Sequence, residues 1–140
     1  MKTKLSLILA TLLIAAAAVA TEAPMLDVHL ITKTTARQIR SASGPIEIRF
    51  DIPITNRSDA PVTVTRVEVR TDDTAGFTLE DGSKKVHVTI APQDAASIVL
   101  RARSIAPADV ARTEPLMVFV RLTFTGPGGT FVKERGEFIQ

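Results

Sequence analysis

The chain has 140 residues, with 17 Lys and Arg against 15 Asp and Glu, six Phe, and no Cys, Trp or Tyr. That length fits one folded domain, and the missing cysteine excludes both disulfides and lipid attachment through a terminal Cys. The formal charge of +2 comes from Lys2 and Lys4 alone, because all 15 acidic residues follow Ala20; the remaining 120 residues balance at zero, without the basic excess that marks a nucleic-acid binder.

Lys2 and Lys4 begin a short basic stretch, and an apolar run extends from Leu5 to Ala20. Ala18 and Ala20 place small residues at the two positions a signal peptidase reads. This layout predicts a secretory signal peptide over residues 1–20. The run is 16 residues, short of the ~20 that a spanning helix needs. The mature protein is therefore expected to be periplasmic or secreted, and soluble after cleavage near Ala20, with no stable membrane insertion.

Residues 21–45 read as an N-terminal strand followed by a polar loop. Within them, Thr32 to Ser43 holds few apolar residues and is expected to form a loop or a ragged edge strand. Residues 46–140 then form the main body. From Ile46 to Ile54, the residues Ile46, Ile48, Phe50, Ile52 and Ile54 alternate with Glu47, Arg49 and Asp51, as in a strand with one face on a core. Pro53 cannot donate to a ladder, which predicts a sheet edge, or pairing on one side only, at this end. Residues 56–61 gather turn formers.

Val62 to Thr65 resumes the alternation, but Arg66 to Arg70 carries it in the opposite phase, so a β-bulge or a change of sheet is expected near Thr65 and Arg66. Thr71 to Gly76 is loop-like, and Phe77 to Glu80 is a short strand candidate. Asp81 to Lys85 reads as a turn into Val86–Ile90, and Pro92 to Asp94 as a turn into Ala96–Arg103. Pro107 to Arg112 carries the one weak helical signal. Leu116 to Thr125 and Thr130 to Ile139, joined by Gly126, Pro127, Gly128 and Gly129, form a hairpin. About seven or eight strands at sandwich spacing predict an all-β, antiparallel two-sheet sandwich.

The stretch from Ile52 through Asn56 to Val62, followed by Val88 through Pro92 to Leu100, resembles bacterial immunoglobulin-like and fibronectin-type-III-like domains. The likeness spans Ile46 to Ile139 and lacks the Cys…Trp…Cys core of true immunoglobulin domains. It implies a fold; no functional residue carries over, because fold does not assign function.

No catalytic constellation is readable, and the chain is not expected to be an enzyme. A serine hydrolase needs a base held against its hydroxyl; the only two histidines lie on outward strand phases and no Gly-x-Ser-x-Gly is present. The pairs Asp72–Asp73 and Glu80–Asp81 sit in turn-like segments without the calcium-loop spacing. Gly126–Gly129 has no following Lys-Ser/Thr and is no phosphate loop. Asn56-Arg57-Ser58 matches a glycosylation acceptor but reads as coincidence behind a bacterial-looking signal. Without Trp or Tyr, a carbohydrate-binding role is disfavoured.

Two functional expectations remain. The first is a non-catalytic binding or structural role in the cell envelope, with no cofactor and with another envelope or extracellular protein as partner. Its candidate surface comprises Met117, Phe119, Arg49, Arg101, Arg103 and Arg121. The arginines could meet an anionic partner, although a solvated face balanced by Glu47, Asp51 and Glu68 is the more common outcome. Met117 and Phe119 lie opposite the inward set of their strand, and a covering loop over Ile105–Arg112 is favoured over a partner surface. The alternative is periplasmic copper binding or delivery through Met25, His29, His87 and Met117, whose donor atoms suit that metal, although no two share a ligand spacing.

Overall fold

In a computed structural model, residues 24–42, 44–71, 78–105 and 116–139 are described. They form nine strands and one short helix. The strands are β1 (Leu26–Val28), β2 (Ile31–Thr32), β3 (Ile46–Asn56), β4 (Val62–Thr71), β5 (Thr78–Glu80), β6 (Ser83–Ile90), β7 (Ala95–Ile105), β8 (Leu116–Gly126) and β9 (Gly129–Ile139), and the helix α1 spans Ala36–Ser41. One sheet, A, has the order β1-β3-β7-β5, with β2 also on β3; the other, B, has the order β6-β4-β8-β9. Every pairing is antiparallel. The all-β two-sheet sandwich is thus present, with nine described strands rather than seven or eight.

Alternation builds the core. Ile48, Phe50, Ile52 and Ile54 of β3, with Ile98, Leu100 and Ala102 of β7, face inward from sheet A. Val62, Val64, Val67 and Val69 of β4 meet them from sheet B, with Leu116, Val118, Val120, Leu122 and Phe124 of β8. Full burial of such a side chain contributes about 1.5–3 kcal/mol, and this one contiguous cluster holds the domain together. The phase change in β4 is a register irregularity between Val64 and Arg66, paired against both β6 and β8. The extra residue lets Val62, Val64, Val67 and Val69 all reach the core.

Three expectations are corrected. First, the segment expected as a loop or ragged edge strand from Thr32 to Ser43 contains the helix α1, Ala36–Ser41. Thr35 caps α1 by accepting from the Gln38 amide at 3.2 Å, while Gln38 Oε1 accepts from the Thr35 amide at 2.8 Å. This reciprocal box satisfies two donors that a helix end would otherwise leave unpaired. The helix buries Ile39, 1% exposed, as the one apolar plug in a polar stretch; six residues are too few for a 3.6-residue period to stand out.

Second, β3 is not an edge. It lies between β7 and the pair β1/β2, with Pro53 opposite Ser97 of β7. The Pro53 carbonyl accepts from the His29 amide at 3.0 Å, so its ring nitrogen also turns toward the β1/β2 side. His29 keeps the register of β1 and β2 opposite Pro53, so the one bond missing there is the one Pro53 cannot donate, and the ladder lapses at His29 and Leu30. Pro53 itself is laddered on one side only. Third, the turn before β6 is confined to Asp81 and Gly82; Ser83 to Lys85 already belong to the strand. The weak helical signal at Pro107–Arg112 and the signal peptide fall outside the described residues.

Candidate functional site

The outer face of sheet B is built in rows by its register. Arg70, Phe119 and Gly136 lie opposite one another across β4, β8 and β9, and Met117 lies opposite Phe138. A Cβ on Gly136 would come within 2.7 Å of Met117 Cε and 2.9 Å of Phe119 Cε1, so these two side chains lie over bare β9 backbone. The arrangement is that of an aromatic covering an edge-strand glycine. Met117 and Phe119 are half-buried as a result, whereas Phe138 beside them is 58% exposed. The expected cover, Ile105–Arg112, lies largely outside the described residues. The next row runs Glu68, Arg121, Glu134; Arg121 approaches Glu134 at 3.6 Å and Arg70 does so at 3.8 Å. An apolar patch therefore borders a mixed-charge row.

Arg49, Arg101 and Arg103 are on the other sheet. They lie outward on β3 and β7, with Arg49 directly opposite Arg101 and Arg103 opposite Glu47. Like charges in such a position repel, and carboxylates offset them: Arg49 meets Asp51 at 3.1 Å, Lys33 meets Asp51 at 3.5 Å, and Arg101 meets Glu47 at 3.9 Å. The six surface candidates are thus split between two opposite faces. Met117, Phe119 and Arg121 share one; Arg49, Arg101 and Arg103 share the other. Phe138 and Gly136 are the participants the alternation pattern did not single out, because β9 carries charged residues on its core-facing phase.

The copper candidates do not converge. Met25 precedes β1 and His29 follows it, both on the sheet A side. His87 is exposed on edge strand β6 of sheet B, and β4 separates it from Met117 on β8. Among the described residues no group of three or more His, Asp or Glu is placed to hold a metal ion, and no helix is long and apolar enough to cross a membrane. Glu80 and Asp81 end β5 at a sheet-switching turn, and Asp72 and Asp73 lie outside the described residues.

That turn shapes a second feature. Asp81 adopts a left-handed backbone (φ 61°), and a Cβ on Gly82 would fall 2.3 Å from the Val69 carbonyl oxygen. Gly82 is therefore required where its own carbonyl accepts from the Val69 amide at 2.6 Å. The turn takes the chain from sheet A to sheet B after only three residues of β5. A cleft of about 360 Å³ opens beside it, lined by Asp81, Ser83, Lys84, Val99, Leu100 and Arg101.

No protein-family model matches this chain, and no curated protein matches it. Among solved structures it is similar to the GAE domain of GGA1 from yeast, at 14% identity and a TM-score of 0.53, over 85% of this chain and 94% of that one. It is also similar to the putative ApaA protein from Bordetella pertussis, at 11% identity and a TM-score of 0.46, over 85% of this chain and 95% of that one. The first likeness carries the architecture, an immunoglobulin-like β-sandwich, and nothing about activity.

Proposed function

We propose that the chain works after export as a small, non-catalytic binding module of the cell envelope, of the bacterial immunoglobulin-like or fibronectin-type-III-like kind. Its partner is another envelope or extracellular protein. The observation that carries this reading is the patch of Met117, Phe119 and exposed Phe138 on the outer face of sheet B, bordered by Arg70, Arg121 and Glu134. An aromatic anchor beside arginines, with a polar rim, is the composition that protein interfaces favour.

The test is a photo-crosslinking residue at position 138 of the exported protein, with position 125, farther along the same outer face, as control. The reading predicts one discrete protein adduct from 138 and none from 125. Absence of an adduct, together with substrate turnover by the purified protein that is lost on changing His29 or His87, contradicts it.

A further inference from the structure

Among the described residues a long part of the β7 edge is open, and its backbone polarity follows from the hydrogen bonds on the far side of the sheet. The carbonyls of Arg49 and Pro53 accept from the Lys33 and His29 amides, so residues 49, 51 and 53 of β3 turn their backbone groups away from β7. In an antiparallel ladder the residues opposite them must do the same in mirror fashion. Those residues are Arg101, Val99 and Ser97. Their amides and carbonyls therefore point out of sheet A, toward the side where β5 lies. Yet β5 covers only Arg103 to Ile105 before Asp81 and Gly82 carry the chain to sheet B. Three amides and three carbonyls of β7 are left without a partner strand among the described residues.

Two of the other edges carry the usual protections. Strand β9 has Lys133, Arg135 and Glu137 opposite the inward Leu122, Val120 and Val118, which places charges on its core-facing side. The edge formed by β1 and β2 is short and broken at His29 and Leu30. By contrast, the free part of β7 runs straight, with Ile98, Leu100 and Ala102 inward, Val99 outward and 37% exposed, and no proline or charge facing in. Such an edge is a template for another strand.

The cleft beside this edge states what the added strand must carry. Lys84 lies opposite Val67, a core-facing residue, so it is on the inward side of β6 at the cleft. It makes no ion pair among the described residues, and Arg101 across the cleft holds Glu47 only at 3.9 Å. Against these two cations stands one carboxylate, Asp81.

We propose that an extended, alternately apolar peptide segment bearing carboxylates docks on β7 between Ala96 and Ala102 as an added strand of sheet A. Its backbone pairs with Ser97, Val99 and Arg101; its inward side chains enter the cleft beside Leu100, apolar except for one carboxylate that meets Lys84, and an outward carboxylate meets Arg101. This rests on the reading of the chain as a binding module and gives it a second surface, on the sheet opposite Phe138.

The test pans a displayed random dodecapeptide library against protein recovered from cells expressing the full chain, and then maps the selected peptides by amide shifts. The expected result is enrichment of apolar residues at alternate positions, with Asp or Glu both between them and at one position of the apolar phase. Shifts should centre on Ser97, Val99 and Arg101, and affinity should fall at least tenfold in Val99→Pro and in Lys84→Glu/Arg101→Glu. The charge-reversed pair, on exposed side chains, keeps the test valid if the proline variant does not fold. Peptides that map to Phe138 overturn the strand-addition site and leave the binding-module reading standing. Enrichment of basic peptides, or pairing of β7 with β7 of a second copy, also overturns it. Absence of any adduct from position 138, together with turnover that depends on His29 or His87, defeats the broader reading separately.

Discussion

Asn56 is the residue on which the two sheets are most directly tied. It is fully buried at the end of β3, and its Nδ2 donates to the carbonyls of Ala60 (2.9 Å) and Ile90 (3.1 Å). Its Oδ1 accepts from the Ser58 amide at 3.0 Å and the Ser58 hydroxyl at 2.6 Å, while its own amide donates to Asp94. One side chain thus joins the β3–β4 turn to the β6–β7 turn, which Gln93 reinforces from a left-handed backbone by donating to the Arg57 and Ser58 carbonyls. Asn56→Ala removes these bonds and strands buried carbonyls, at about 1 kcal/mol for each well-formed bond. The expected loss is about 2–4 kcal/mol in a urea or guanidinium unfolding titration, and a loss below 1 kcal/mol would contradict the tie. Gly82→Ala presses a methyl on the Val69 carbonyl; an overpacking loss of about 1–3 kcal/mol is expected in the same titration.

At the scale of single elements, the strands tolerate charge on one phase and reject it on the other. Phe50→Asp, Ile98→Asp and Val120→Asp each put an unpaired carboxylate among fully or nearly fully buried neighbours, so each should abolish cooperative thermal unfolding. Arg49→Ser and Arg101→Ser lose only exposed pairs and should shift stability by less than about 0.5 kcal/mol. Retention of the wild-type melt by any of the three acidic variants would mean the wrong strand phase. Thr35→Ala opens the capping box of α1 and should cost about 1 kcal/mol, read as lost amide protection at Gln38 and Ile39. The strands were legible because a period of two over ten residues is a strong signal: β3, β8 and the bulge in β4 all follow from it. The helix was not, because a single buried Ile39 in six residues leaves no period to read. Pro53 misled for a local reason: its missing donor interrupts only the β1/β2 ladder, at His29 and Leu30, while its neighbours in β3 still pair on both sides. Of the candidate surface, the outward orientation of Met117 and Phe119 was readable from β8 alone. Their company with Phe138 over Gly136 was not, since it depends on the β8–β9 register. The division of the arginines between two faces likewise follows from which strands share a sheet, and pairing is not written in any one strand.

For the whole molecule, the path of the chain between sheets matters as much as the sheets. The switch at Asp81 and Gly82 moves β6 onto sheet B, and it is this early departure that leaves the edge of β7 open among the described residues, while β9 is blunted by charge and β1/β2 by brevity. The two outer faces then differ in kind: a patch of Met117, Phe119 and Phe138 on sheet B, and a charge-balanced face ending in an open backbone edge on sheet A. The measurement that tests this most directly is native-state amide hydrogen exchange along β7. Ile98 and Leu100 donate toward β3 inside the sheet, whereas Ser97, Val99 and Arg101 point outward, so the account predicts strong protection alternating with fast exchange. Protection of the Val99 amide equal to that of Ile98 and Leu100 would mean that the edge is already covered, and would contradict the account.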